Sequence, residues 1–164
     1  MRALIRRLPV ALACALAAPS IAVAQTSAAA SNQTLTEAAC TSIKTEFSAL
    51  QDQLPVDVDY MTKLIGVSAM MGSRECMVSY VYVYEEDALI DEVVKSAAQE
   101  GNALSREAVL EFFTSENGAA ILKQLFREQA QQVVNGIEVN GANLGFQVLY
   151  KSDDVNLDAV TVRF

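Results

Sequence analysis

Ten residues, Glu75-Cys76-Met77-Val78-Ser79-Tyr80-Val81-Tyr82-Val83-Tyr84, constrain this chain more than any other stretch. Nearly all are β-branched, aromatic or thiol-bearing, and successive side chains of a strand point to opposite faces. A β-strand here puts Cys76, Val78, Tyr80, Tyr82 and Tyr84 on one face and Met77, Ser79, Val81 and Val83 on the other. A strand of that composition has to be covered on at least one side.

The elements around it follow from periodicity. Cys40, Ile43, Phe47, Leu50 and Leu54 recur at steps of three and four, predicting a helix from Thr34 that Pro55 ends. Asp57 to Val67 alternates weakly and reads as a strand, with Val58, Tyr60, Thr62 and Leu64 against Met61, Lys63, Ile65 and Val67. Met71-Gly72-Ser73-Arg74 then turns the chain into the tyrosine-rich strand, making a hairpin. At Glu85-Glu86-Asp87 the period changes to 3.6. A helix carrying Leu89, Ile90, Val93, Val94, Ala97 and Ala98 follows, stopped by Gly101-Asn102. Ser105 caps a short helix with Val109, Phe112 and Phe113, and Thr114 to Gly118 marks a break. A longer helix carries Ile121, Leu122, Leu125, Phe126, Val133, Val134 and Ile137, and Asn135-Gly136 and Asn140-Gly141 punctuate its end. Two strands close the chain, on Leu144, Phe146, Val148 and Tyr150 and on Val160, Val162 and Phe164, joined by a turn through Ser152 to Asn156. The expected fold is α+β, an antiparallel four-stranded sheet with three to four helices mainly on one face, in the order α-β-β-α-α(-α)-β-β.

The N-terminus reads as a secretory signal peptide over residues 1–24. It has Arg2, Arg6 and Arg7, a short Ala-rich apolar run from Leu8 to Val23, and a small-x-small site at Ala22-Val23-Ala24. The competing reading, a lipoprotein signal acylated at Cys14, has Ala11 where a larger aliphatic residue is usual. Residues 25–32 form a Ser-, Thr- and Ala-rich leader, and residues 33–164 a single domain. No second run of membrane-spanning length follows, so the destination is a bacterial periplasm or the outside of the cell. Removing the three arginines leaves nine basic residues against 20 acidic ones, a net charge of about −11. Such a chain is repelled by phosphate backbones, which argues against nucleic acid as a partner.

Cys40 and Cys76 are then the two cysteines of an exported chain, and they are expected to pair. Both stand at the start of an apolar stripe, Cys40 on the first helix and Cys76 on the strand. A bridge between them puts that helix on the Cys76, Val78, Tyr80 face, crossing near the N-terminal end of the strand. A redox-active pair lacks both Cys-x-x-Cys spacing and an adjacent histidine.

The chemistry available to the chain is limited. There is no histidine, which removes the commonest general base, the commonest metal ligand and the Ser-His and Cys-His nucleophile arrangements. Neither glycine-rich phosphate-binding motif occurs, no cysteine pair remains for zinc, and no cofactor is implied. Three candidates survive. Asp154-x-Asn156-x-Asp158 starts like a calcium loop, but Ala159 occupies the glycine position and no twelfth-position Glu follows. The acidic set Glu85, Glu86, Asp87, Asp91 and Glu92 could supply the two carboxylates of a glycosidase, although a helix-start cluster on a solvated face accounts for the same residues. Tyr80, Tyr82 and Tyr84, joined by Tyr60 and Tyr150 from other strands, could bind a protein segment or an apolar ligand, or could be core beneath helices. The leading expectation is a non-catalytic exported module that binds another protein, as adaptor, inhibitor or assembly factor. A carrier of small apolar ligands and a carboxylate-dependent hydrolase are the alternatives.

Overall fold

The computed structural model describes residues 32–135, 137 and 141–164. The expected signal peptide, Cys14, residues 25–31 of the leader, Gly136 and Asn140 lie outside the described residues. Helix α1 runs over Asn32–Gln51, and β1 is the two-residue strand Val56–Asp57. The hairpin is formed by β2 (Thr62–Met71) and β3 (Cys76–Tyr84). Three helices follow, α2 (Glu86–Gln99), α3 (Arg106–Thr114) and α4 (Glu116–Asn135). The last strands are β4 (Leu144–Ser152) and β5 (Val160–Arg163). The α+β class holds, with a five-stranded mixed sheet ordered β1-β2-β3-β4-β5.

Two features of the sheet correct the four-stranded antiparallel expectation. First, β3 and β4 are parallel, Cys76 opposite Leu144 and Tyr84 opposite Ser152. The helical block between them returns the chain to the end where β3 began, and a strand entered by such a crossover runs alongside its predecessor. Second, the expected single strand from Asp57 to Val67 is divided. The chain turns back between Asp57 and Thr62, Val58 N–H donating to Thr62 C=O (2.8 Å). The second piece then continues to Met71.

A bulge explains the weak alternation of that region. Leu64 pairs with Tyr82 and Gly66 with Val81, leaving Ile65 as the extra residue. After it, Val67 and Ala69 share the buried face of Leu64 instead of lying opposite it.

The helix boundaries have local causes. Ser105 accepts from the Ala108 N–H (3.2 Å) and caps α3 as expected. At the end of α2, Asn102 N–H reaches Ala97 C=O (2.9 Å) and Gly101 N–H reaches Ala98 C=O (3.1 Å). Gly101 adopts a φ of 82° there, a left-handed conformation that glycine takes without a Cβ clash. The expected break over Thr114 to Gly118 shrinks to Ser115 alone, with Gly118 already inside α4.

The core lies between one sheet face and the helices. The burial of β3 alternates strictly, and Cys76, Val78, Tyr80, Tyr82 and Tyr84 are its buried set. Cys40 and Ile43 of α1, Leu89 and Ile90 of α2, Val109 and Phe113 of α3, and Leu122, Phe126 and Ala130 of α4 meet them. The Cys40–Cys76 disulfide is present, its Cα atoms 5.5 Å apart, and it joins α1 to the first residue of β3 on the expected face. Reduction of this bridge, which spans a sequence separation of 36 residues, is expected to lower unfolding stability by about 3–4 kcal/mol. Denaturant melts of the oxidised protein and of a Cys40→Ala/Cys76→Ala variant measure this, and coincident curves would refute it.

Candidate functional site

The tyrosine row is interior. Tyr80, Tyr82 and Tyr84 are 6%, 4% and 1% exposed, and Tyr150 is 3% exposed, while Tyr60 stands apart at 63%. Parallel pairing sets Tyr82 against Tyr150, their rings stacked at 5.3 Å. Phe126 stacks on Tyr150 at 4.3 Å and tilts against Tyr84 at 5.0 Å. On the other side Tyr80 lies 6.4 Å from Tyr82 and meets Phe47 edge-on at 5.5 Å. This aromatic chain runs from α1 across the sheet to α4, each contact adding about 0.5–1.5 kcal/mol beyond area burial. The open, tyrosine-lined face considered as a binding surface is thus covered by helices, and of the proposed extra members only Tyr150 joins.

The acidic set is dispersed. Glu85 pairs with Lys63 (3.5 Å), Glu92 with Lys95 (3.5 Å), and Asp87 and Asp91 both with Arg106. Glu86 departs from the solvated-face account, being 4% exposed. Its carboxylate accepts from the Ser152 hydroxyl (2.8 Å) and from the Asn156 amide (2.9 Å). Its own N–H donates to Asp153 Oδ1 (2.9 Å). The β4–β5 loop therefore caps α2 from a distance, since the Glu85 side chain at the N-cap makes no capping hydrogen bond. Tyr84 adjoins this cluster, and its buried hydroxyl has no hydrogen-bond partner among the described residues. Burial, with Glu86 and Asp153 nearby and against the opposing influence of Ser152, pushes that phenol up to about 12.

The calcium-like triplet is dispersed as well. Asp154 accepts from the N–H of Val155 (2.6 Å), Asn156 is committed to Glu86, and Asp158 lines a cleft beside α4. The arrangement ties the β4–β5 loop to the start of α2.

What remains is the second face of the sheet. Met77, Val81 and Val83 of β3 and Leu149 of β4 are half-buried there, and Ile65 and Met70 of β2 are 40% and 70% exposed. Gln147, Thr161 and the cations Lys63, Lys151 and Arg163 occupy the same face. None of these was singled out from sequence as a site. The only signal was the half of the alternation opposite the tyrosines.

No family model matches the chain, and no curated protein matches it. Among solved structures, one from Pseudomonas aeruginosa, a proposed secreted protein, is similar over 84% of this chain and 95% of its own, at 12% identity and a TM-score of 0.35. A likeness of that size assigns neither a family nor a function.

Proposed function

We propose that the protein is an exported, non-catalytic binding module whose target is another protein. The observation that carries this reading is the sheet face that no described element covers. A sheet buried on one side ordinarily presents polar residues on the other, yet this face offers Ile65, Val81, Val83 and Leu149 across three strands, with Met70 and Met77 beyond a row of Ser68, Ser79 and Gln147. Exposed apolar fields rimmed by polar groups mark interaction surfaces. The Cys40–Cys76 bridge supports an oxidising compartment. The carrier reading needs a hollow between sheet and helices, and beneath β3 and β4 the stack of Tyr80, Tyr82, Tyr150 and Phe126 occupies that layer.

A photo-crosslinking side chain at Met70, introduced into the exported protein in a bacterial periplasm, tests the reading. A discrete protein adduct is expected from Met70 and none from Lys95 on α2, whose side chain is 67% exposed. Equal labelling from both positions, or none from Met70, would reject it. Introducing charge by Met70→Glu is expected to weaken the captured complex about tenfold or more while leaving the melting temperature in place, because that side chain is 70% exposed.

A further inference from the structure

Strand β5 closes one side of the sheet, and its outer edge is open among the described residues. Phe146 and Phe164 exchange both backbone hydrogen bonds (3.1 and 3.0 Å). In an antiparallel ladder such pairs recur at every second residue. Val160 and Val162 consequently direct their peptide groups to β4, and Thr161 and Arg163 direct theirs outward. Beside this edge, between β5 and the α3–α4 pair, lies a cleft of about 280 Å³. Phe113, Leu122 and Leu157 form its apolar floor, and Lys123, Asp158 and Thr161 line it as well.

Basic side chains flank this edge on both sides of the sheet. Lys123 stands at the cleft, and Arg127, one turn further along α4, lies over the Phe164 ring at 5.3 Å. Arg163 and, on the adjacent strand, Lys151 lie on the open sheet face. None of these four takes part in an ion pair among the described residues. They are four of the nine basic residues outside the expected signal peptide, in a chain with 20 acidic ones. Asp158 is the one acid that lines the cleft.

We propose that β5 receives an acidic, extended segment of a partner protein as an added strand. This rests on the reading of the chain as a protein-binding module and names where and what it binds. The outward N–H and C=O groups of Thr161 and Arg163 would continue the ladder, which supplies sequence-independent affinity. Alternate residues of an added strand point to opposite faces. One set enters the cleft, whose floor favours an apolar side chain with Lys123 beside it. The other set lies over the open face toward Arg163 and Lys151, which favours carboxylates. Charge complementarity of this kind speeds encounter and rejects basic competitors more than it adds affinity.

The test uses a blocked peptide of alternating Glu and Val, about ten residues and so of usual strand length, with an alternating Lys-Val peptide and a Glu-Val peptide interrupted by Pro as comparisons. With the isotope-labelled exported protein, saturable binding of the Glu-Val peptide is expected to shift the amide resonances of Thr161 and Arg163. Both comparison peptides should bind at least about tenfold more weakly. Lys123→Glu with Arg163→Glu is expected to weaken the Glu-Val peptide by a similar factor, and both sites are on the surface. Thr161→Pro removes only an outward donor, so it should abolish binding with the circular dichroism spectrum retained. Equal affinity for the Lys-Val peptide, or indifference to the charge reversal, overturns the proposal. Shifts centred on Met70 and Val81 in place of Thr161 also end strand addition at β5, while leaving the binding-module reading intact. Absence of binding at either place, together with an empty cross-link at Met70, ends both.

Discussion

Raising the pH from about 10 toward 12 is expected to unfold this domain in one cooperative step. Tyr80 and Tyr84 are both pushed up to about 12, and Tyr150 is raised further still, with burial the leading cause in each case. Glu46 adds to the effect at Tyr80, and the neighbouring Tyr82 and Asp59 at Tyr150. An unfolded tyrosine ionises near 10. Below that pH both states keep their phenolic protons, and the stabilisation from the buried rings is complete. Above it the unfolded chain releases protons that the folded chain still holds, so stability falls as pH rises. The slope is about 1.4 kcal/mol per pH unit for each such tyrosine. Three of them acting over two units remove about 8 kcal/mol, comparable with the whole stability of an ordinary domain, about 5–15 kcal/mol.

Phenolate absorbance and far-ultraviolet circular dichroism followed over the same pH range give the measurement. A single coincident transition above pH 10 is the expected result. Titration of these phenols near 10 with the circular dichroism unchanged would show that the rings are solvated. Tyr84→Phe separates the contributions, because it deletes a titrating group whose hydroxyl is buried without a hydrogen-bond partner among the described residues. Its alkaline midpoint should move upward, and at neutral pH it should be at least as stable as the parent protein, since no hydrogen bond is lost.

The second large effect is expected from the smallest substitution available. In Gly118→Ala the added Cβ would stand 1.8 Å from the carbonyl oxygen of Phe112, 2.6 Å from its carbonyl carbon and 2.8 Å from the Cα of Phe113. All three obstacles are backbone, so no side-chain rotation relieves the overlap. The last turn of α3 and the first of α4 would have to separate. That junction is also held by Ser115, whose hydroxyl donates to Phe112 C=O (2.6 Å) and accepts from the Gly118 N–H (3.2 Å). Separation would draw Phe113 and Leu122 out of the core that α3 and α4 build together. A loss above about 4 kcal/mol is expected, the range reserved for clashes a structure cannot absorb. Chemical denaturation of the purified variant, or its failure to accumulate, measures it. Gly101→Ala serves as the comparison, because open space surrounds that glycine and the strain of its positive φ alone should cost about 1 kcal/mol. If Gly118→Ala unfolds at the parent's midpoint, the close packing of α3 on α4 described above is incorrect.

Much of this architecture was legible because it is local. The alternation from Cys76 to Tyr84 named the buried face before any helix was placed over it. The stripe of Cys40, Ile43, Phe47 and Leu50 named the face of α1, which ends at Gln51 short of the expected stop at Pro55, and the two thiols, each heading a stripe, named their own bond. The stop at Gly101-Asn102 and the cap at Ser105 were equally readable, because a left-handed turn and an N-cap are set by residues within one helical turn of each other.

The missed features depend on residues far apart along the chain. A local pattern does not distinguish a β4 that enters the sheet parallel to β3 from one that enters antiparallel, because the hydrophobic alternation is identical and only the path of the intervening helices differs. The bulge at Ile65 was visible only as weak alternation, since locating an extra residue requires the partner strand. Glu86 looked like one more acid in an exposed cluster. Only the return of the chain brought Ser152 and Asn156, 66 and 70 residues away, onto its carboxylate. The edge of β5, flanked by Lys123, Arg127, Lys151 and Arg163, had no sequence signature, because those residues come from three elements that meet only in the folded sheet. By itself the sequence determined the buried faces of β3 and α1, the stop of α2, the cap of α3 and which cysteines pair, because burial periodicity and capping act over a few residues. The tertiary structure alone decided strand direction, the place of the bulge and which loop meets the start of α2, because these depend on contacts between distant segments.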